Sequence, residues 1–82
     1  MEKNIFMRKG MELGKNLDKY VVGRLITKYN TYISESDKIE SVKSDLITLS
    51  RSYGVALPDG VFDSAKNVFS LLLGMNTGQI KK

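Results

Sequence analysis

Residues 36–53 read SDKIESVKSDLITLSRSY and carry the clearest helix signal in the chain. Apolar side chains recur along this stretch at spacings of three, four, three and four: Ile39, Val42, Leu46, Leu49 and Tyr53. Because such spacing places them on one side of an α-helix, with polar residues around the rest, the pattern predicts an amphipathic helix. Ser34 or Ser36 can cap the start of this helix, and Gly54 can supply the left-handed residue that ends it.

Upstream, the sequence predicts a longer first helix over residues 9–33. Apolar residues recur every four positions from Leu13 to Ile33, but from Val22 onward the apolar side moves by more than about 90° around the helix. Supercoiling cannot explain this shift, because it accounts for only about 20° per heptad. Either a hinge at Gly23 or burial of the two halves against different neighbours would explain it.

Two further glycines lie near the beginning of this helix. Gly10 and Gly14 have the spacing that lets two membrane helices approach closely, but their flanking residues are charged. Each glycine inside a helix costs about 1 kcal/mol relative to alanine. We therefore expect a frayed or irregular helix start here.

Downstream, a third helix is predicted over residues 59–73, after the turn Leu57-Pro58-Asp59-Gly60, with Asp59 as its cap. Most of its circumference is apolar, so it must be covered on more than one side. We expect Gly74 to end this helix and residues 75–82 to form a loose tail.

These elements predict an all-α fold in one domain of 82 residues. The long N-terminal helix would pack on an antiparallel pair formed by the second and third helices. A domain of this size has a small core, and the absence of cysteine leaves no disulfides to support it. We therefore expect a homo-oligomer, most simply a two-fold dimer, to complete the fold.

The composition excludes several classes of function. The chain has no Cys and no His, which removes thiolate and imidazole metal sites, thiol nucleophiles and His-based acid–base catalysis. Its nine acidic residues are scattered along polar faces, so we expect no enzyme, no cofactor, no metal and no small-molecule substrate. No apolar run approaches the roughly 20 residues of a membrane span, and we expect a cytoplasmic protein.

The remaining function is binding, and the sequence offers two sets of residues for it. Lys and Arg exceed Asp and Glu by 13 to 9, and the excess lies in the first 33 residues. A basic side of the first helix would steer an acidic partner: Arg8, Lys15 and Lys19. An apolar side would make the contact with that partner or with a second copy: Leu13, Leu17, Tyr20 and Val21. We expect a small regulator, inhibitor or adaptor that binds a protein.

The alternative is a nucleic-acid-binding regulator that uses the basic first helix or an imperfect helix-turn-helix motif at residues 46–73. The stretch from Leu49 to Val55 resembles the beginning of that motif. Its second half departs from the pattern, because Gly60 lies where an apolar residue is expected and the third helix contains no Arg. Affinity that falls steeply with salt would distinguish this alternative.

Overall fold

The computed structural model describes residues 4–32 and 34–80, and this part of the chain is helical without any strand. Its four α-helices are α1 (Ile5–Asn16), α2 (Lys19–Thr31), α3 (Glu35–Tyr53) and α4 (Ala65–Ile80), with a 3-10 turn at Val61–Asp63 before the last. The all-α class is confirmed. The arrangement differs from the predicted one, because α1 packs mainly on α4 while α2 packs mainly on α3.

The predicted continuous helix over 9–33 is wrong, because the chain breaks at Leu17 and Asp18. Both residues have extended backbone angles, and the Asp18 carboxylate accepts a hydrogen bond from the backbone N–H of Tyr20 at 3.0 Å. Asp18 is thus the N-cap of a new helix. The end of the predicted helix, at residue 33, lies outside the described residues.

The chain does not break at Gly23. This residue lies inside α2, is exposed, and a Cβ atom placed on it would meet nothing within 4 Å. The apolar side shifts because α1 and α2 are separate helices with different neighbours, which is the second of the two explanations above.

The start of α1 is also well defined. The Asn4 side chain accepts hydrogen bonds from the backbone N–H groups of Phe6 at 2.9 Å and Met7 at 3.1 Å. These bonds satisfy two of the free donors at the helix N-terminus. The prediction of a frayed start around Gly10 and Gly14 is therefore wrong, since both glycines lie well inside the helix and are buried.

The helix predicted over 36–53 is confirmed as α3, one residue longer at its start. Ser34 is the cap, and its hydroxyl accepts a hydrogen bond from the backbone N–H of Asp37 at 3.1 Å. Gly54 ends the helix with a φ of 67°, in the left-handed region that favours glycine. Val42 and Leu46 are fully buried, as the spacing predicted.

The last helix begins and ends later than predicted. Ser64, not Asp59, precedes α4, and its hydroxyl accepts from the backbone N–H of Asn67 at 3.2 Å. The helix then continues through Gly74 to Ile80, so residues 75–80 are not a loose tail. Residues 81–82 of the predicted tail lie outside the described residues.

The helix passes Gly74 because the missing side chain is needed for packing against α1. A Cβ atom on Gly74 would lie 2.9 Å from the carbonyl carbon of Met7, and one on Gly10 would lie 3.0 Å from the backbone nitrogen of Met75. Both distances are shorter than van der Waals contact allows, so the two backbones touch at these positions. Gly14 and Gly78 make the same kind of contact one turn further along each helix. We call these four residues the glycine contact.

Polar side chains join the two helices at both ends of the glycine contact. At the beginning, the Asn4 amide donates to the Ser70 hydroxyl at 3.1 Å. At the other end, the Gln79 amide donates to the backbone carbonyls of Gly14 and Leu17, and the Gly14 carbonyl also accepts from the backbone N–H of Leu17 at 3.3 Å. Since early residues of α1 meet early residues of α4, the two helices run parallel.

The core lies between these two helices and the pair formed by α2 and α3. Its fully buried side chains come from α1, the adjoining break, α3 and α4: Leu13, Leu17, Val42, Leu46, Val68, Leu71 and Met75. Tyr29 connects α2 to this core, because its buried hydroxyl donates to the backbone carbonyl of Ala65 at 2.9 Å. Three residues separate α2 from α3 along the chain, and the two helices pack against each other.

Candidate functional site

The structure separates the three basic residues predicted to lie on one helix side. Arg8 and Lys15 are exposed on α1, where seven residues correspond to a rise of about 10 Å. Lys19 is the first residue of α2, beyond the break at Leu17 and Asp18. It therefore belongs to a different surface, the groove described below.

The four residues of the predicted apolar side are divided as well. Leu13 and Leu17 are fully buried in the core, so a partner cannot contact them while the chain is folded. Tyr20 is 75% exposed, and Val21 is half-buried. Leu13 and Leu17 thus follow the apolar spacing because they belong to the core. Only Tyr20 and Val21 remain for binding a partner.

An open groove of about 920 Å³ runs between α2 and α3, and we call it the α2–α3 groove. Most of its lining comes from the outward side of α2, with three residues from α3. The lining residues are Lys19, Tyr20, Val21, Gly23, Arg24, Leu25, Thr27, Lys28, Asp45, Thr48 and Leu49. Lys19, Tyr20 and Val21 all line this groove.

The interior of the groove is apolar. Leu25 is buried, and both Val21 on α2 and Leu49 on α3 are half-buried, so each presents part of an apolar side chain to the groove. The exposed ring of Tyr20 lies near the start of α2. Tyrosine offers a large apolar area together with a hydroxyl that can stay in water, which suits a binding surface.

Basic side chains surround this interior. The lining contains three cations, Lys19, Arg24 and Lys28, against one carboxylate, Asp45. Lys28 and Asp45 form a salt bridge across the groove at 3.0 Å. Among the side chains that the structure describes, Lys19 and Arg24 form no ion pair, so both remain available to an anionic group.

Gly23 gives the groove its room. It lies between Tyr20 and Lys28 along the outward side of α2, and the space that its side chain would occupy is empty to at least 4 Å. A backbone without a side chain lets an incoming segment approach the helix closely. A helix-breaking residue is thus tolerated inside α2 at a position where it adds space rather than packing.

Sequence reasoning missed Gly23, Arg24 and Lys28 as groove residues. It gave a hinge at Gly23 as one of two explanations for the shifted apolar side, and both cations simply interrupt the apolar pattern of a helix that was predicted to be continuous. The signal lies in their spacing, because Tyr20, Gly23, Arg24, Thr27 and Lys28 share one side of a helix that begins at Lys19.

The predicted helix-turn-helix at residues 46–73 is not formed. Its two helices are normally joined by three or four residues, whereas eleven residues separate Tyr53 from Ala65. The helix that would enter a DNA groove is α4, and half of its residues are buried against the rest of the chain. Near the start of α4, Lys66 and Asn67 are the side chains of the types that hydrogen-bond to base edges. Two such side chains are too few for direct readout of a DNA sequence.

Acidic side chains are sparse in the α2–α3 groove. Its lining holds one carboxylate, and nowhere in the described part of the chain do three acidic side chains gather as a metal site would require. None of the described helices combines the length and apolar character needed to cross a bilayer.

No family model, curated protein or solved structure matches this chain.

Proposed function

We propose that this chain is a small non-enzymatic binding protein whose α2–α3 groove takes up an acidic, amphipathic helical segment of a protein partner. The carrying observation is the groove itself, which combines an apolar interior, two cations that pair with no described carboxylate, and the free space at Gly23. By binding that segment, the chain would act on its partner as a regulator, an inhibitor or an adaptor.

A helix is the occupant that suits this shape. Two neighbouring helices leave a groove along which a third helix can lie, with its apolar side chains turned inward. Val21, Leu25 and Leu49 would contact those side chains. Lys19 and Arg24 would pair with carboxylates at the edge of the incoming helix and fix its orientation.

Protein fits the groove better than nucleic acid does. A duplex is bound mainly through its phosphates, and stable binding neutralises many of them. Of the described cations in the groove, only Lys19 and Arg24 are outside an ion pair, because Lys28 is paired with Asp45. Phosphates would also make no favourable contact with the apolar interior of the groove.

A selection experiment tests the proposal and requires no named partner. A display library of helix-forming peptides is selected on the chain and counter-selected on Gly23→Glu, which fills the groove and adds a negative charge. We expect enriched peptides with an apolar side flanked by Asp or Glu. Enrichment that is equal on both proteins would contradict the proposal, and so would enrichment of basic peptides.

A pair of charge reversals then locates the binding surface. We expect Lys19→Glu to slow association of an enriched peptide by about tenfold at low salt, because steering by a groove cation is lost. Lys15→Glu on α1 is the matched control. When both variants are compared again at about 0.15 M salt, where the Debye length is about 8 Å, this control should change the rate by less than about twofold. Stopped-flow fluorescence measures both rates. An equal effect of the two variants would favour the basic side predicted for the first helix.

Nucleic acid is tested in the same assay format. Fluorescence anisotropy with a generic duplex and a generic single strand at about 50 mM salt should give no saturable binding. Saturable binding whose affinity falls steeply with added salt would replace the protein-partner proposal with the nucleic-acid one.

The proposal includes self-association, as the small core predicts. The α2–α3 groove is not needed for it, because apolar side chains are exposed elsewhere on the molecule.

A further inference from the structure

The outward side of α4 carries an exposed apolar line. Phe69 is 50% exposed, Leu73 is 41% exposed and Ile80 is 79% exposed, although they belong to the most apolar helix of the chain. Together with the exposed Asn76 they recur at spacings of four, three and four, within about 60° around the helix. We call these four residues the α4 stripe. It faces away from the glycine contact, since Gly74 and Gly78 lie on the α1 side.

Charge is absent from this region of the sequence. Residues 67–80 contain no Asp, Glu, Lys or Arg, whereas the α2–α3 groove is lined by four charged side chains. A charged partner therefore has nothing to pair with on the α4 stripe. The stripe is complementary to a surface that is itself apolar and uncharged.

The spacing of the stripe is the same in both directions. Its midpoint falls between Gly74 and Met75, so a second helix laid antiparallel across it meets an identical pattern. Phe69 would then face Ile80 of the second copy, and Leu73 would face Asn76 of the second copy. Such a self-matching surface is what a two-fold dimer requires.

We infer that the α4 stripe binds the α4 stripe of a second copy of this chain, with the two helices antiparallel about a two-fold axis. This assigns a surface to the self-association proposed above and is independent of the α2–α3 groove. The two Asn76 residues lie about 4.5 Å apart along the axis, near enough for their amides to bond to each other. A pair of polar residues near the axis would fix the register.

The dimer is expected to be weak. Three exposed apolar side chains cover less than the roughly 800 Å² per partner that a stable interface buries. We therefore expect dissociation in the range of about 10 to 100 µM, with monomers at lower concentration.

Sedimentation equilibrium on the full chain tests the inference. Between about 5 and 300 µM the mean mass should rise from 9.2 kDa toward twice that value. Leu73→Lys places two like charges near the axis and should raise the dissociation constant by about tenfold or more. Tyr20→Lys is the matched control, since it replaces an exposed apolar residue in the groove, and should leave the dimer unchanged. Circular dichroism at about 5 µM checks that both variants fold.

Cysteine cross-linking tests the orientation, because the natural chain has no cysteine. With a short bismaleimide linker, Asn76→Cys should give covalent dimers and Ile80→Cys should not, since the two copies of position 80 lie about 16 Å apart along the axis. Efficient cross-linking of both would indicate a parallel pair and overturn the antiparallel arrangement.

Two outcomes would overturn the inference as a whole. One is a mass of 9.2 kDa at every concentration. The other is a dimer that Leu73→Lys leaves intact. Neither outcome affects the groove, whose failure appears separately as equal peptide enrichment on the chain and on Gly23→Glu.

Discussion

The two helix pairs of this molecule use glycine in opposite ways. Between α1 and α4, four glycines bring two backbones into contact and leave no space. In α2, Gly23 contacts nothing and leaves an opening beside charged side chains. The first pair is closed and holds the fold together, while the second is open and offers a surface to other molecules.

This difference separates stability from binding. The α1–α4 pair closes the chain through contacts that a single methyl group would disrupt, because carbonyl groups and α-carbons cannot move aside as side chains can. The α2–α3 pair tolerates changes on its outward side, since no neighbour is displaced. Replacing glycine by alanine should therefore lower the free energy of unfolding in the α1–α4 pair and raise it at Gly23 in the α2–α3 pair.

The largest effect is expected for Gly10→Ala. The added methyl group would overlap the backbone of α4 at Leu71 and Met75, and the helices must separate to accept it. We expect a loss of about 3 kcal/mol or more in the free energy of unfolding, measured by urea titration with far-UV circular dichroism. A value within about 0.5 kcal/mol of the natural chain would show that the backbones do not touch.

A smaller loss is expected for Gln79→Ala. The Gln79 amide donates to the carbonyls of Gly14 and Leu17, and its removal leaves the end of α1 without these donors. We expect a loss of about 1 to 2 kcal/mol in the same urea titration. Asn76→Ala on the exposed side of α4 is the matched control and should change stability by less than about 0.5 kcal/mol at about 5 µM protein. Equal losses would mean that the two bonds contribute nothing.

The smallest effect, with the opposite sign, is expected for Gly23→Ala. The methyl group enters open space, and alanine favours the helix by about 0.5 to 1 kcal/mol over glycine. Thermal unfolding should move upward by a few degrees. Gly54→Ala is the control, because its φ of 67° strains any side chain and should lower stability. A loss of stability in Gly23→Ala would show that α2 needs its glycine for packing.

The sequence predicted α3 well because every signal for it is local. Its cap, its apolar spacing and its terminating glycine all lie between Ser34 and Gly54. The boundary between α1 and α2 also has a local signal, the capping residue Asp18. It was missed because the apolar spacing continues across the boundary. Where a periodic pattern spans two helices, a capping residue inside it is the better guide to their boundary.

The α1–α4 pair was not predicted because its signal is divided between distant parts of the chain. Gly10 and Gly14 alone weaken a helix, and Gly74 alone resembles a helix end. Gly78 lies four residues after Gly74, as Gly14 lies four residues after Gly10. The signal for the helix pair appears only when these two glycine pairs, at opposite ends of the sequence, are considered together. The groove escaped for a related reason, since the positions of Arg24 and Lys28 are meaningful only once α2 is known to begin at Lys19.

The pairing of α1 with α4 also determines the order in which a nascent chain can fold. Asn4 and Ser70 are 66 residues apart, so at about 5 to 20 residues per second the ribosome makes the partner of α1 about 3 to 13 seconds later. The α2–α3 hairpin can form meanwhile from near neighbours. During synthesis the side of α1 that packs on α4 therefore stays uncovered until α4 has been made.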